Sequence, residues 1–264
     1  MKNLNILKNI KFPKKTELKK IKFFFKKINL DLIIKDSEKE LKKSIIKPNL
    51  NDLYRLYQII ILNKRTTILE FGSGYSSLIF LIALNNLKNK YQNKIKNLRR
   101  SNPFELFVLE NEKKFLNITK KRIKSFNKIN KCSIKINYNF SNVVMSEYQN
   151  KVVTSYKKLP LCNPDFIYLD GPGQYKVKGN INNISTRHPD MMPMVCDILK
   201  FEYFLNPGTI IVVDGRGANA KFLKDHFKRK WLYKYDQIYD QHYFYLSDPI
   251  LGKYSKLQMR FYKN

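Results

Sequence analysis

From Thr66 onward, short apolar runs alternate along the chain with longer stretches whose apolar residues recur at helical spacing. The short runs predict strands and the longer stretches predict amphipathic helices. Strands are expected over residues 67–71, 106–110, 132–138, 166–170 and 209–214, and helices over about 76–90, 112–126, 194–205 and 218–230. Because the two kinds of element alternate repeatedly, the pattern predicts a mostly parallel sheet with helices on both faces, a doubly wound α/β fold.

The two ends of the chain depart from this alternation. Near the C-terminus, apolar runs at 231–238 and 241–247 with a short connection predict an antiparallel hairpin at one edge of the sheet. At the N-terminus, lysine pairs such as Lys42–Lys43 alternate with short apolar groups, which is typical of one or two basic amphipathic helices. Pro48 and Asn49 then offer a break and a helix N-cap. We therefore divide the chain into a basic helical N-terminal extension, 1–48, and an α/β domain, 49–264.

The charge of the chain is strongly positive. Lys and Arg number 51 against 21 Asp and Glu, which gives a formal net charge of +30. Such a charge can mark a surface that binds nucleic acid or an anionic membrane. It can also reflect a compositional bias, because only nine of the cations are arginines and asparagine and isoleucine are abundant as well. We favour the bias, since lysine is the weaker residue for bidentate recognition of phosphates and bases.

Composition also bears on the expected location of the protein. Its longest apolar runs, 59–62 and 78–84, are far shorter than the roughly 20 residues that span a bilayer. The first residues lack the apolar core of a secretory signal, so the mature chain is expected to begin at Met1. Cys132, Cys162 and Cys196 are widely spaced, which argues against a disulfide framework and against a cysteine zinc site. These features predict a cytoplasmic protein.

Candidate chemistry lies at the ends of the predicted strands, because ligands of open parallel sheets bind at the carboxyl ends of the strands. The first strand runs into Glu70-Phe71-Gly72-Ser73-Gly74. Glycines at these positions let the backbone turn and approach a ligand, and the helix that follows presents unpaired N–H groups. The second strand ends in Glu110, whose carboxylate can accept hydrogen bonds from both hydroxyls of a ribose.

These two strand ends resemble the class I S-adenosylmethionine-dependent methyltransferases, over roughly residues 51–246. Residues 68–74 are similar to the first motif of that family and residues 107–110 to the second. The resemblance implies a Rossmann-like, seven-stranded sheet whose last strand is antiparallel. It also implies that the Gly72–Gly74 turn passes under the methionine part of the cofactor and that Glu110 holds the ribose. Ser77 replaces the third glycine of dinucleotide-binding loops, which disfavours a pyrophosphate ligand.

The same resemblance places the loop after the third strand beside the adenine of the cofactor. Ser141 and Asn142 are the candidate donors there. The full set of candidate S-adenosylmethionine-binding residues is Glu70, Gly72, Ser73, Gly74, Tyr75, Ser76, Glu110, Asn111, Ser141, Asn142 and Asp170.

Asp170 and Asp214 each follow an apolar run and precede a glycine. If their strands are neighbours, the backbones lie about 4.8 Å apart and both carboxylates can face one substrate pocket or one cation. Alternatively, each aspartate caps the segment that follows it. The pair also resembles the metal-dependent O-methyltransferases of catechol and macrolide-sugar type, but Gly215 stands where their third ligand is expected. We therefore predict no metal site and keep magnesium on Asp170 and Asp214 as the alternative.

A polar segment, 174–193, follows the fourth predicted strand and is expected to form a substrate lid. His188 within it is a candidate general base, or else an ordinary surface residue. Arg216 is a candidate for gripping an anionic or sugar substrate, with a salt bridge to Asp170 or Asp214 as the alternative. The candidate catalytic residues are thus Asp170, Asp214, His188 and Arg216.

These observations together predict an S-adenosylmethionine-dependent methyltransferase that methylates an oxygen of a small molecule or glycan. One alternative keeps the cofactor and takes RNA as the substrate, with the lysine-rich N-terminus tracking phosphates. Another treats the domain as a non-catalytic cofactor-binding or interaction module. The Asp170-Gly171-Pro172 sequence differs from the Asn/Asp-Pro-Pro-aromatic motif of enzymes that methylate a flipped base, so base N-methylation is disfavoured.

Overall fold

The computed structural model describes residue 6, residues 8–40 and residues 48–263. These residues form the strands β1 (Thr67–Phe71), β2 (Glu105–Glu110), β3 (Lys135–Phe140), β4 (Val143–Tyr148), β5 (Lys151–Tyr156), β6 (Phe166–Leu169), β7 (Ile210–Asp214), β8 (Trp231–Asp236) and β9 (Gln241–Leu246). The helices are α1 (Leu18–Lys27), α2 (Leu30–Glu40), α3 (Leu50–Asn63), α4 (Tyr75–Ile95), α5 (Lys113–Asn130), α6 (Asp197–Lys200), α7 (Gly217–His226) and α8 (Lys253–Lys263). Two 3₁₀ turns span Gln174–Lys176 and Glu202–Phe204.

Seven strands form one sheet in the order β3-β2-β1-β6-β7-β9-β8. The first five of these are parallel, whereas β9 runs antiparallel to both β7 and β8. The chain builds outward from β1 to β3 and then crosses back to β6, so the strand order reverses between β1 and β6. This topology confirms the predicted doubly wound, mostly parallel seven-stranded sheet and its antiparallel C-terminal hairpin.

Both faces of the sheet are buried, and successive strand residues alternate between them. Ile68 and Val212 belong to a hydrophobic cluster on one face, where α3, α4 and α5 pack. Leu69 and Val213 belong to a second cluster on the other face, which includes residues of α6, α7 and the β4–β5 hairpin. The central strands are consequently apolar at nearly every position, and the polar residues relevant to function lie at their ends.

The N-terminal helices pack onto this core. Ile21 and Phe25 of α1 and Leu30 and Ile33 of α2 are buried in the same cluster as α3 and α4. Asn49 caps α3 as expected, because its side-chain oxygen accepts a hydrogen bond from the Asn51 N–H at 3.0 Å. The expected start at Met1 and the Lys42–Lys43 pair lie outside the described residues.

None of the described helices is long and apolar enough to cross a bilayer. The three cysteines are all free. Cys196 is buried, whereas Cys132 and Cys162 are partly exposed.

The predicted helix over 194–205 is wrong. Residues 194–196 instead lie alongside β5, where the Thr154 N–H donates to the Met194 carbonyl at 2.8 Å and the Cys196 N–H donates to the Thr154 carbonyl at 3.1 Å. The side chain of Asn219 on α7 bonds both the N–H and the carbonyl of Val195, at 3.0 and 3.1 Å. Because these partners occupy the backbone groups that a helix would use, helical structure begins only at Asp197 and is short.

Two elements of the structure have no counterpart in the sequence-based prediction. The β4–β5 hairpin turns at Gln149 and Asn150, which both adopt positive φ angles (50° and 59°), the geometry of a two-residue hairpin turn. Helix α8 follows the last strand and ends at Lys263. Boundaries also shift elsewhere, since β3 begins at Lys135 rather than Cys132 and α7 ends at His226 rather than near Lys230.

Candidate active site

The carboxyl ends of β1 and β6 meet through direct backbone contact at the point where the strand order reverses. The Phe71 carbonyl accepts hydrogen bonds from the N–H groups of Asp170 and Gly171 at 3.0 and 2.6 Å, and the Gly72 N–H donates to the Leu109 carbonyl at 2.8 Å. Gly72 has a φ of +103°, and a Cβ placed there would lie 3.1 Å from the Gly171 nitrogen. The close approach of these two loops therefore requires glycine at position 72.

Gly74 borders open space instead. Its backbone is extended (φ −178°), and a Cβ placed there would meet only the Ser76 hydroxyl, at 3.9 Å. The Gly74 N–H donates to the Ser77 hydroxyl at 3.2 Å, which fixes the entry into α4. A side chain at position 74 is thus compatible with the backbone but would occupy space that a ligand can use.

Glu70 is buried beneath this turn, with 1% of its surface exposed. Its two carboxylate oxygens each accept a hydrogen bond of 2.5 Å, one from the Ser76 hydroxyl and one from the Ser77 hydroxyl. Burial raises the pKa of Glu70 to about 8, with the nearby Asp170 and Glu110 carboxylates adding to the rise and the two serines opposing it. Glu70 therefore anchors the start of α4 rather than facing a ligand.

Glu110 ends β2 beside the same turn, and 4% of its surface is exposed. Its Oε1 atom accepts from the N–H groups of Asn111 and Glu112, at 2.7 and 2.8 Å, and its Oε2 atom accepts from the Ser73 hydroxyl at 2.7 Å. Burial raises the pKa of Glu110, and the three hydrogen bonds oppose that rise. Each carboxylate oxygen has two lone pairs, so Oε2 retains capacity for a further donor.

Several buried polar atoms at this edge have no hydrogen-bond partner among the described residues. They are Nδ2 of Asn111, the hydroxyl of Tyr156, and Nε and Nη1 of Arg216. Asn111 and Tyr156 are only 6% and 4% exposed. Buried polar groups are nearly always hydrogen-bonded, so such a cluster fits a polar ligand that completes it. The residues present thus fit a cofactor with carboxylate, hydroxyl and ring-nitrogen groups, such as S-adenosylmethionine.

The remaining candidate cofactor residues are engaged in local structure. The Ser141 hydroxyl accepts from the Lys158 N–H at 2.9 Å, and the Asn142 carbonyl accepts from the Lys157 N–H at 2.9 Å. Both bonds tie the loop after β3 to the end of the β4–β5 hairpin. Tyr75 is buried at the start of α4, where the centre of its ring lies 3.8 Å from the Arg122 guanidinium carbon.

Beyond the end of β6 lies an open cavity of about 370 Å³. Its lining comprises Asp170, Met192, Asp214, Gly215, Arg216 and Asp240. The structure therefore brings three of the four candidate catalytic residues together at one cavity. The lining includes three carboxylates and a single cation, and it includes no lysine among the described residues, in contrast to the charge of the chain as a whole.

Asp170 lines this cavity and is exposed to solvent. The protein atoms packed around its carboxyl group raise its pKa to about 7, the Asp214 carboxylate adds to the rise, and Arg216 opposes it. A carboxylate with a pKa near neutrality can accept a proton efficiently at physiological pH. Asp170 thus has the electrostatic properties of a general base.

Asp214 ends β7 and is partly buried. Its Oδ2 atom accepts from the Tyr168 hydroxyl at 2.6 Å. Burial raises its pKa, while the hydrogen bond from Tyr168 and the nearby Gln241 side chain oppose that rise. Asp52, on the first turn of α3, lies near enough that repulsion from Asp214 adds to the effect of burial and raises the pKa of Asp52 to about 6.

Arg216 binds backbone rather than carboxylate. Its Nη2 atom donates to the carbonyls of Asp170 and Pro172, at 2.7 and 3.0 Å. Among the described residues, Arg216 forms no salt bridge with Asp170 or Asp214, although the sequence left open such a salt bridge as an alternative role for Arg216. The guanidinium instead holds the loop after β6 in place, with two of its nitrogens left unpaired.

His188 lies on the exposed part of the segment after β6 and does not line the cavity. Its side chain is 58% exposed, and its Nδ1 atom accepts from the Asp190 N–H at 3.2 Å. Gln174 folds this segment back on itself, because its side-chain amide donates to the carbonyls of His188, Pro189 and Met191. Met192 is the residue of the segment that reaches the cavity.

The aspartates that line the cavity are not grouped as a set of metal ligands. No group of three or more His, Cys, Asp or Glu side chains in the described part of the chain is arranged to hold a metal. Asp214 already shares one carboxylate oxygen with Tyr168, and Gly215 supplies no side-chain ligand.

Sequence reasoning missed three residues of this site. Tyr156 arrives on the unpredicted β4–β5 hairpin, Asp52 on the first turn of α3, and Asp240 on the turn between β8 and β9. Asp240 has a positive φ of 48°, and a turn between two strands is a position that favours aspartate. An aspartate between two strands therefore indicates a turn, but it does not indicate that the turn faces the candidate active site.

Comparison with known proteins gives similarity in overall structure only. No protein-family model matches the chain, and no curated protein matches it. Among solved structures, the chain is similar to an O-methyltransferase from Bacillus cereus in complex with S-adenosylhomocysteine, with 14% identity over 92% of this chain and 96% of that chain and a TM-score of 0.42. It is also similar to an S-adenosylhomocysteine-bound methyltransferase from Podospora anserina, with 12% identity over 89% of this chain and 99% of that chain and a TM-score of 0.46.

Proposed function

We propose that this protein is an S-adenosylmethionine-dependent methyltransferase that acts on a hydroxyl oxygen of a small molecule or glycan. The observation that carries the proposal is the arrangement at the strand-order reversal, where Glu110 ends β2 beside the open turn at Gly74. Unpaired buried polar atoms of Asn111 and Tyr156 surround the same place. A candidate substrate cavity with Asp170 at its edge lies next to it.

The chain's own residues would bind and orient the cofactor. Glu110 would accept one ribose hydroxyl through Oε2, and Gly74 would let the methionine part pass close to the backbone. When bound, S-adenosylmethionine supplies an electrophilic methyl group on a sulfonium centre. Much of the rate enhancement would come from holding the acceptor oxygen in line with that group.

Asp170 would complete the reaction as the general base. It would take the proton of the acceptor hydroxyl, whose oxygen would receive the methyl group that S-adenosylmethionine supplies when bound. Its pKa of about 7 keeps a large fraction ionised at neutral pH. Asp214 would orient the acceptor through its unshared oxygen, and Arg216 would hold the Asp170 loop through the two carbonyls it binds.

The cavity favours an uncharged acceptor over a polyanion. Three aspartates line it, and repulsion by carboxylates disfavours phosphates at this position. A hydroxyl-bearing small molecule or glycan satisfies such carboxylates through hydrogen bonds. RNA is therefore the less favoured substrate.

The domain division and the cellular location belong to the same proposal. We assign residues 1–48 as an extension of the methyltransferase domain, 49–264, because the described helices α1 and α2 bury apolar residues against that domain. We assign the protein to the cytoplasm, because its three cysteines are free and one of them is buried as a thiol.

Calorimetric titration with S-adenosylhomocysteine tests the proposal. We expect the unmodified protein to bind, Gly74→Ala to bind more weakly, and Gly74→Leu to lose at least roughly tenfold in affinity, because the side chain fills the space beside the turn. Both variants should melt within a few degrees of the unmodified protein, because position 74 is extended and uncrowded.

Two outcomes would contradict the proposal. One is an absence of binding to the unmodified protein. The other is undiminished binding by Gly74→Leu. Ala218→Leu is a useful matched control, since Ala218 is exposed on the first turn of α7 and the substitution adds the same side chain at another helix start.

A further inference from the structure

A second cavity, of about 590 Å³, lies at the opposite edge of the sheet from the candidate active site. Asn102, Asn163 and Asn206 line it, and these residues precede β2, β6 and β7, so the cavity lies at the amino ends of the strands. Strands of about five residues separate the two edges by roughly 15 Å. The cavity is therefore distinct from the place proposed for methyl transfer, and the inference below does not depend on that proposal.

The lining of this amino-edge cavity is cationic. Arg99, Arg100 and Lys253 contribute three positive charges, and the lining includes no Asp or Glu among the described residues. Most of the other lining side chains are neutral hydrogen-bonding groups. A positive, polar concavity of this kind attracts anions.

Arg100 is fixed in place and retains unused donors. Its side chain is 5% exposed, its Nη2 atom donates to the Asn163 carbonyl at 2.8 Å, and its Nε atom has no partner. Its Nη2 atom also forms an ion pair with the buried Asp165 carboxylate, at 3.8 Å. That carboxylate accepts hydrogen bonds from the Thr66 N–H at 2.8 Å and the Tyr262 hydroxyl at 2.8 Å, and it accepts none from the Nε atom of Arg100. A buried guanidinium with spare donors fits an anion that completes its hydrogen bonds.

Helix α8 begins at the same cavity and strengthens this positive field. The first backbone N–H to donate within the helix is that of Lys256, to the Gly252 carbonyl, so the N–H groups of residues 253–255 come before the helical ladder. The Ser255 hydroxyl is buried and has no partner, and no acidic residue lies in the first turn. Free N–H groups and the positive end of the helix dipole form a favourable site for phosphate.

Exposed apolar side chains flank the opening. Phe204 is 76% exposed and Leu251 is 67% exposed, and the Phe204 carbonyl accepts from the Asn163 side-chain amide at 2.7 Å. Large side chains that are this exposed beside a polar cavity provide a surface for the organic part of a ligand. The cavity thus combines an anion site with an apolar margin.

We propose that the amino-edge cavity binds the phosphate group of a phosphorylated ligand, through Arg99, Arg100, Lys253 and the first turn of α8. The phosphate would belong either to a soluble phosphorylated metabolite or to a lipid headgroup. The shared chemistry is a phosphate monoester or diester with an organic substituent that reaches the apolar margin.

Titration of the full chain with inorganic pyrophosphate tests the anion site. We expect Arg100→Gln and Lys253→Gln each to weaken binding by roughly tenfold, because each removes a charge-assisted contact. Arg260→Gln is the matched control, since Arg260 is exposed towards the C-terminal end of α8 and does not line the cavity, and we expect it to bind as the unmodified protein does. The melting temperature of each variant shows whether it is folded. If Arg100→Gln is unstable, Lys253→Gln still tests the site, because Lys253 is exposed.

A second arm distinguishes the two sources of phosphate. Co-sedimentation is measured with vesicles of phosphatidylcholine alone and of phosphatidylcholine with phosphatidic acid. Binding to pyrophosphate without co-sedimentation supports a soluble phosphorylated ligand, whereas co-sedimentation with phosphatidic acid that Lys253→Gln abolishes supports a lipid headgroup. The proposal is overturned if neither probe binds, or if Arg260→Gln weakens binding as much as Lys253→Gln does.

Discussion

Two carboxyl groups on the same edge of the sheet have raised pKa values but differ in what surrounds them. Glu70 is fully enclosed and hydrogen-bonded only to two serine hydroxyls of α4, and its pKa is about 8. Asp170 is open to solvent between another carboxylate and a guanidinium, and its pKa is about 7. Enclosure makes the first a structural acid that stays largely protonated at neutral pH, whereas access to solvent makes the second available for proton transfer.

The ionisation of Glu70 gives a prediction about stability. Because its folded-state pKa lies above the unfolded value, the folded protein binds more protons than the unfolded protein between pH 4.5 and about pH 8, and stability falls as pH rises through that window. We expect the melting temperature of Glu70→Gln to decline less than that of the unmodified protein between about pH 5 and about pH 9. Thermal melting across this range is the measurement, and parallel curves for the two proteins would refute it.

The pKa of Asp170 gives a prediction about activity. Its ionised form is the base, so kcat should rise with pH through about 7 and then level off. Asp170→Asn should lower kcat by roughly 10² to 10⁴ and remove that rise, because the amide cannot accept the proton. Rates are measured against pH with any acceptor that the enzyme methylates. His188→Gln is the matched comparison and should keep the rise of kcat with pH. If His188→Gln loses that rise and Asp170→Asn keeps it, the general base is His188.

At the scale of elements, α3 is held to the C-terminal hairpin by one arginine. The Arg55 guanidinium donates from Nη2 to the Asp236 carboxylate and from Nε to the Tyr243 hydroxyl at 3.0 Å, and its carbon lies 3.9 Å from the centre of the Tyr239 ring. The side chains of Arg55 and Asp236 are 8% and 13% exposed. This contact fixes the first turn of α3, and hence Asp52, beside the end of β7.

Loss of the contacts that Arg55 makes should destabilise the folded protein. Arg55→Met should lower the free energy of unfolding by about 3 kcal/mol, because the largely buried Asp236 carboxylate would keep only Lys234, 3.9 Å away. Urea unfolding measures the change. The control is Lys20→Met, which removes the exposed pair with Glu17 (70% and 72% exposed) and should change stability by less than about 0.5 kcal/mol. Equal effects of the two substitutions would contradict this account.

At the scale of the whole molecule, charge and candidate chemistry are separated. The chain carries a formal charge of +30, yet the candidate substrate cavity is lined by three aspartates and one arginine. Positive charge lines other cavities instead, namely the amino-edge cavity and a cavity between α5 and β3 that Lys120, Lys124 and Lys128 line. Lysines exposed over the rest of the surface repel one another.

That repulsion predicts a salt effect on stability. Raising NaCl from about 20 mM to about 300 mM shortens the Debye length from about 20 Å to about 6 Å and screens the surface lysines from one another. We expect the melting temperature to rise over this range, because the compact state suffers more from like-charge repulsion than the unfolded chain does. A melting temperature that falls with added NaCl would indicate that attractive ion pairs dominate instead.

The sequence by itself determined the fold class and the turns at the ends of β1 and β2. Short apolar runs that alternate with stretches of helical periodicity suffice to predict the fold class. The central strands are apolar throughout because both faces of the sheet are buried. Gly72 and Glu110 could be found for the same reason, since each directly follows or ends such a run. The local pattern gives a wrong prediction at residues 194–205. There, hydrogen bonds to Thr154 and Asn219, which are distant in the chain, replace those of the predicted helix.

Only the tertiary structure decided which groups share a site. Tyr156, Asp52 and Asp240 come from a hairpin, a helix and a turn that are distant in the chain, and no local periodicity records their meeting. The same holds for the amino-edge cavity, where Arg100 and Lys253 are separated by more than half the chain. Long-range packing brings such residues together, and it also determines their pKa values, because burial and neighbouring charge are properties of the folded chain.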